Sequence, residues 1–440
     1  MRSFFFLLTS IIICSSVLQA ETKTEEIKSF TLENGMKVFV IEDFSIPNAN
    51  MYLFYKVGSR NEYPGITGLS HFFEHMMFNG AKKYGPKMFD QTMEAAGGSN
   101  NAYTSNDVTV YTNWFPASSA EVIFDLEADR IKDLNFDDKM IESERGVVLS
   151  ERSTWLENSN YVFLSEQVEG AAFIAHPYRW PVIGYESDIK NWSKLDLQNY
   201  FKTYYAPNNC VVVVSGAINF DEVKKLATKY FSVIPTGPQP RQLHTVEPPQ
   251  IGEKRVFAQK DVSASNLMIS YHGVDAKSPN YYTLVLLSAI LSEGSTSRLY
   301  KSLVDEKQLA LDITTNFSYS FDPSLFTIYT ICSDNVAVST LENAIYDEIE
   351  KLVKDGITEK ELEKVKNQKL MSLYQNLETI NGRAHSTGIS ELFFGDYNKI
   401  FDSAEEYQKV SVTDIQETAK KYLVKSNRTV GILSSVEEGR

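Results

Sequence analysis

The chain has 440 residues, of which 43% are hydrophobic, and carries a net charge of −14. Such a length predicts two or three domains with room for sizeable cores. The acidic balance argues against a nucleic-acid partner, since no large basic face is available to neutralise phosphates, and is best read as a solvated acidic surface.

Met1-Arg2 is followed by an apolar run from Phe4 to Cys14 and then by Ser15-Ser16-Val17-Leu18-Gln19-Ala20. This positive, apolar, small-residue order is that of a secretory signal, and it is too short for a permanent membrane span. It predicts cleavage after Ala20 and a periplasmic or secreted protein without stable membrane insertion. A lipoprotein reading through Cys14 is weaker, because Ile13 stands where a small residue is expected. The predicted divisions are a signal peptide at 1–20, a first half at 21–235, a linker at 236–250 and a second half at 251–440.

The first half opens with two strand-like runs, Lys37–Ile41 and Met51–Tyr55. They lead into Gly68-Leu69-Ser70-His71-Phe72-Phe73-Glu74-His75-Met76-Met77-Phe78, which contains the pattern H-x-x-E-H. On a helix, residues four apart share a face, with Cβ atoms roughly 5–6 Å apart. Two imidazole nitrogens at that spacing can reach one Zn²⁺. Glu74 projects beside the same ion and can take a proton from zinc-bound water. The bland alternative is a pair of packed core histidines. It is unattractive because burying two His and a Glu without a metal leaves costly unpaired polar groups.

Gly97-Gly98 then opens a loop into two alternating strands through Asn101-Ala102-Tyr103-Thr104 and on to Phe115. A sheet edge there can take up an extended peptide by strand addition. Further on, Glu144 and Glu151 lie seven residues apart and share a helix face. Either can be the third zinc ligand while the other orients the site, and the spacing alone does not choose. Cys210 and Cys332 each sit in an apolar strand-like run, which predicts two buried free thiols rather than a disulfide.

A Pro-rich stretch from Pro235 to Pro249 divides the chain. Beyond it, Arg255–Ala258, Asn266–Tyr271 and an apolar helix from Tyr281 to Leu291 repeat the strand–strand–helix opening. Both halves close alike, with Tyr204-Tyr205-Ala206-Pro207-Asn208-Asn209 before Val211–Val214 and Tyr422-Leu423-Val424-Lys425-Ser426-Asn427 before Val430–Leu433. This reads as a diverged duplication of α+β halves with antiparallel-type strands. The second half has no H-x-x-E-H, so one half carries the chemistry.

The stretches Gly58-Ser59-Arg60-Asn61-Glu62 and Gly65 to Gly80, with the later Glu144 and Glu151, resemble the pitrilysin-type, mitochondrial-processing-peptidase-like zinc metallopeptidases. The resemblance covers nearly the whole mature chain. It implies two similar α/β-sandwich halves closing as a clamshell over a peptide chamber. It also implies one Zn²⁺ held by His71, His75 and Glu151, with Glu74 as base and Glu144 assisting. Asn101, Ala102 and Thr104 match the family's substrate strand.

Family members of this size carry an Arg and a Tyr seven residues apart in their C-terminal half, and here those positions align with Asp305 and Asp312. The expectation is therefore an endopeptidase of peptides or unfolded segments that works with a homologous partner supplying that pair, a homodimer being the alternative assembly. The rival readings are a non-catalytic binding or assembly subunit of the same fold, and zinc hydrolysis of a non-peptide ester or amide.

Overall fold

Two sheets organise the chain, and the second copies the strand order of the first. In the computed structural model, which describes residues 27–435, the first sheet contains β1 (Lys28–Thr31), β2 (Lys37–Glu42), β3 (Asn48–Tyr55), β4 (Ser99–Thr104), β5 (Thr109–Pro116) and β6 (Cys210–Gly216). The second contains β7 (Lys254–Gln259), β8 (Asn266–His272), β9 (Ala310–Asn316), β10 (Leu325–Cys332) and β11 (Arg428–Ser434). The order β2-β6-β3-β5-β4 recurs as β7-β11-β8-β10-β9, with β1 as the addition in the first half. The predicted signal peptide, residues 1–20, lies outside the described residues.

One feature departs from the antiparallel reading. β6 enters parallel to β2, and β11 enters parallel to β7, while the other pairings are antiparallel. The reason is the length of the excursion. Five α-helices separate β5 from β6 and five separate β10 from β11, so each last strand can return in either direction. Cys210 and Cys332 are both buried, one in each sheet, and neither is part of a disulfide.

Each half lends a helix to the other. Asn160–Ala172 belongs to the first half but packs on β7, β8 and β11. Ile380–Phe394, its counterpart in the second half, packs on β2, β3 and β6. Both crossings are close enough to need a glycine: a Cβ on Gly388 would fall 2.0 Å from the Phe54 ring, and one on Gly431 would fall 2.3 Å from Val168. Apolar burial is continuous through these crossings, with Phe39, Tyr52, Phe54 and Val213 against Ala384, Leu392 and Phe393, and with Leu164 and Val168 against Met268 and Leu433. The central strands of the first sheet are therefore covered on both faces, as the run of buried residues in β3 shows.

Polar contacts reinforce the junction. Asp107 accepts from the Tyr178 hydroxyl at 2.7 Å and from the Phe321 N–H at 3.0 Å. Arg60 pairs with Asp322, which His176 also approaches at 3.2 Å. Tyr103 meets His385 at 2.8 Å, and His272 lies 3.3 Å from the Ala172 carbonyl. Three histidines without any metal-ligand spacing thus bridge the halves. The Pro-rich segment carries no helix or strand. Glu247 fastens it to the first half by accepting the N–H groups of Ile174, Ala175 and His176 at 2.8, 2.9 and 2.8 Å.

Candidate metal centre

The H-x-x-E-H stretch is a helix, Leu69–Met76. Its apolar positions Leu69, Phe72, Phe73 and Met76 are fully buried in the first core, which leaves His71, Glu74 and His75 on the other face. Gly68 precedes the helix at φ 90, and a Cβ there would fall 2.4 Å from the Ile183 carbonyl, so the entry turn requires glycine. Glu62 supplies the cap from six residues upstream, accepting the N–H groups of Gly68 and Ser70 at 2.7 and 2.8 Å. Burial pushes the Glu62 carboxyl up to about 8, against the pull of those two bonds. From the sheet side, the Tyr111 hydroxyl donates to the Phe73 carbonyl at 3.0 Å, fixing the helix to β5.

The two glutamates arrive on helix Asp138–Asn158, which Asp137 caps by accepting from Lys139 and Met140. Arg145 holds this helix in place by donating to the carbonyls of Ile189 and Trp192. Glu151 Oε2 lies 3.7 Å from His71 Nε2 and 3.4 Å from His75 Nε2. These separations are long for hydrogen bonds. They match two ligands on a tetrahedral zinc at roughly 2.0–2.1 Å, which lie about 3.4 Å apart. Glu151 Oε2 is also buried without a hydrogen-bond partner, so its negative end is directed at the point the two imidazoles share. Among the described residues, His71, His75 and Glu151 are the group of three metal-ligand types with ligand atoms all within 4.8 Å of one another. The residues present fit a zinc ion.

Glu144 does not join that triangle. Its Oε1 meets His75 Nδ1 at 2.8 Å, on the ring edge away from Glu151, and its Oε2 accepts from Asn79. This contact orients the imidazole so that Nε2 faces Glu151. Burial of Glu144 opposes its ionisation, but the bonds from His75 and Asn79 outweigh that and lower its pKa. Burial and then the adjacent His75 lower His71 to about 3, leaving its ring neutral, the form that ligates.

Glu74 faces the same space. Burial is the main cause that raises its pKa, with the Thr104 hydroxyl bond at 2.5 Å and His75 working in the opposite sense. Thr104 ends β4, which among the described residues pairs only with β5 and forms one edge of the first sheet. Of the three residues matched to the substrate strand, Asn101 is exposed, Ala102 is half-buried against the first core, and Thr104 touches Glu74.

The second half is chemically silent at the matching positions. Counted from the first residue of each helix, His71, Glu74 and His75 correspond to Thr283, Leu286 and Leu287 on Tyr281–Ser292. Glu144 and Glu151 correspond in the same way to Val365 and Ser372 on Glu359–Leu377. Arg298 is taken up by Glu361 at 2.7 Å and by the Gly356 carbonyl at 3.0 Å, and Tyr300 packs on the second core. Asp305 and Asp312 are exposed. Sequence reasoning assigned no role to Glu62 or Asn79. Asn79, four residues beyond His75, carried a usable signal, since that spacing continues the ligand face.

The first half matches the family model described as Insulinase (Peptidase family M16) over residues 37–185. Residues 191–369 match the model described as Peptidase M16 inactive domain. A curated relative named zinc protease PqqE from Helicobacter pylori is 30% identical over 94% of each chain. A probable mitochondrial-processing peptidase subunit beta from Arabidopsis thaliana is 25% identical over 94% of this chain and 79% of its own. Among solved structures, a protease from Helicobacter pylori superposes with a TM-score of 0.89 and 29% identity, covering 93% of this chain and 100% of that one. The periplasmic protease PqqL from Escherichia coli shares the fold at a TM-score of 0.77 and 18% identity, with 94% of this chain covering 48% of it. With its two sheets in the same strand order and its H-x-x-E-H helix facing Glu151, this chain belongs to peptidase family M16.

Proposed function

We propose that this chain is an exported zinc metalloendopeptidase that cleaves peptides or unfolded segments. The observation that carries the reading is the convergence of His71, His75 and Glu151 on one point, with Glu74 beside it and the sheet edge β4 next to Glu74. When bound, zinc supplies Lewis acidity and makes water a nucleophile at neutral pH.

The chain's own residues do the rest. His71, His75 and Glu151 hold the ion, and Glu144 fixes the His75 ring through Nδ1. Glu74 accepts the proton from the attacking water at Oε1 or Oε2 and later gives it to the leaving amine. A carboxyl whose pKa is raised by burial suits both transfers. Thr104 holds Glu74 through its hydroxyl, while the β4 backbone at Asn101, Ala102 and Thr104 aligns the substrate as an added strand.

A homologous partner completes the site in this reading, as a heterodimer or with a second copy. Support comes from Arg298 and Tyr300, which are both committed within the second half, and from the exposed aspartates at positions 305 and 312. The working division is a zinc-binding half at 21–235 and a second half at 251–440, joined by 236–250. Export rests on the N-terminal pattern, and a related fold is described as periplasmic in Escherichia coli. Among the described residues, no helix is long and apolar enough to cross a membrane.

The test is cleavage of a peptide library by the purified mature chain with one equivalent of zinc, alone and with candidate M16 partners, using Glu74→Gln as control. Cleavage that needs both zinc and Glu74 supports the proposal. Zinc binding with no cleavage under any pairing would move the chain to the class of binding subunits.

A further inference from the structure

Four cations from three separate parts of the chain meet in one crevice. Lys56 follows β3, Arg60 lies in the turn Ser59–Asn61, Arg241 lies in the Pro-rich segment, and Lys277 follows β8 in the second half. All four line a cavity of about 460 Å³ that has Phe321 and Phe393 as apolar walls and no carboxylate in its lining. That size suits a small molecule rather than a single water. In a chain with a net charge of −14, such a concentration of positive charge is out of keeping with the rest of the molecule.

The nearby carboxylates are already engaged. Asp322 pairs with Arg60 Nε and with His176. Asp107 accepts from Tyr178 and the Phe321 N–H, and lies 3.8 Å from Arg60 Nε. Asp275 accepts the N–H of Lys277 itself at 2.8 Å. Among the described residues, the side chains of Lys56, Arg241 and Lys277 have no ion-pair partner. Lys56 Nζ and Arg60 Cζ instead share the Phe321 ring, at 4.7 and 5.6 Å from its centroid. Burial first, and then the charges of Arg60 and Lys277, lower the Lys56 pKa. Arg60 and Lys277 thus repel the Lys56 charge, with Asp107 acting in the opposite sense, while Asp322 and Asp107 stabilise the Arg60 cation.

We propose that this crevice is a binding site for a small oxyanion of the phosphate or polycarboxylate type, held by Lys56, Arg60, Arg241 and Lys277. The anion offsets the repulsion of Lys56 by Arg60 and Lys277 and ties the first half, the linker segment and the second half together. A ligand that binds only the folded arrangement stabilises it in proportion to its occupancy.

The experiment is thermal unfolding and isothermal titration of the full, zinc-loaded chain with inorganic phosphate and, separately, citrate, each against sodium chloride at equal ionic strength. The expected result is a saturable rise in Tm with at least one of the two anions, absent with chloride. Affinity should fall by about tenfold or more for each charged hydrogen bond lost in K56Q/K277Q. K56R should keep binding, and K420Q, a remote exposed lysine, should behave as wild type. Response to phosphate alone assigns a phosphoryl ligand, response to citrate alone a polycarboxylate, and response to both the shared oxyanion chemistry. Equal shifts in chloride, or K56Q/K277Q binding as tightly as wild type, would overturn the proposal. The latter also covers an anion that simply sits on zinc. The readout is anion binding, so the result is separate from that of the peptidase assay.

Discussion

Removing Glu144 tests how much the carboxylate behind a zinc histidine contributes. Its Oε1 lies 2.8 Å from His75 Nδ1, and its Oε2 is steadied by Asn79, so both oxygens are committed. Glu144→Ala deletes the contact that fixes the His75 ring without removing a member of the His71, His75, Glu151 triangle. Losing such an outer partner typically weakens metal binding about 10- to 100-fold, or roughly 1.4–2.8 kcal/mol. Glu144→Gln keeps an acceptor but loses the charge, and belongs at the lower end of that range. Asn79→Ala frees one Glu144 oxygen and should cost less than either. A competition titration of zinc between the chain and a chromophoric chelator measures all three. Unchanged zinc affinity in Glu144→Ala would refute the orienting role. A loss as complete as that of Glu151→Ala would instead make Glu144 a ligand.

Three further outcomes follow from the same contacts. Arg130 is 1% exposed, bonds Glu127 at 2.8 Å and lies over Phe89 and Tyr111; Arg130→Met strands the Glu127 charge and should lower denaturant-derived stability by about 3–5 kcal/mol, largely recovered in E127L/R130M. Gly388→Ala forces a methyl group into the Phe54 ring and should cost about 1–3 kcal/mol in the same assay, because it wedges the two halves apart. Burial and the Glu166 charge raise Glu169 to about 8. Its ionisation is therefore harder in the folded chain than in the unfolded one, and its contribution to stability is lost as pH rises from about 4.5 through 8. Glu169→Gln should match wild type near pH 4.5 and exceed it by roughly 2–4 kcal/mol above pH 8, as read from urea unfolding across that range.

Much of the site was legible because it is local. His71, Glu74 and His75 fall on one short helix, and spacing alone predicts a shared face. The third member of the His71, His75, Glu151 triangle was not legible in that way. Glu144 and Glu151 share their own helix face equally well, so spacing left the choice to the family resemblance, and in the fold Glu151 approaches both Nε2 atoms while Glu144 meets Nδ1. Glu62 stands in the stretch that carries the resemblance, but its capping role was hidden, since it caps from six residues upstream, beyond any capping-box spacing.

In the fold, strand identity and the duplication could be read from paired motifs such as Tyr205-Ala206-Pro207-Asn208-Asn209 before β6. The parallel entry of β6 and β11 could not, because a long helical excursion leaves strand direction free. The exchange of helices was equally hidden. Leu164, Val168 and Ala172 announce a buried stripe on Asn160–Ala172, but nothing in the stripe says that it faces the sheet of the other half.

The proposed chemistry stands on whether His71, His75 and Glu151 together hold one metal ion. Elemental analysis of zinc per chain, after saturation with zinc and exhaustive dialysis, tests it most directly in wild type, Glu74→Gln, His71→Ala, His75→Ala and Glu151→Ala. Wild type and Glu74→Gln should retain close to one zinc per chain, and each of the other three should lose it with the fold intact by circular dichroism. Zinc retained at wild-type level in Glu151→Ala, or no zinc held by the wild-type chain, would contradict it.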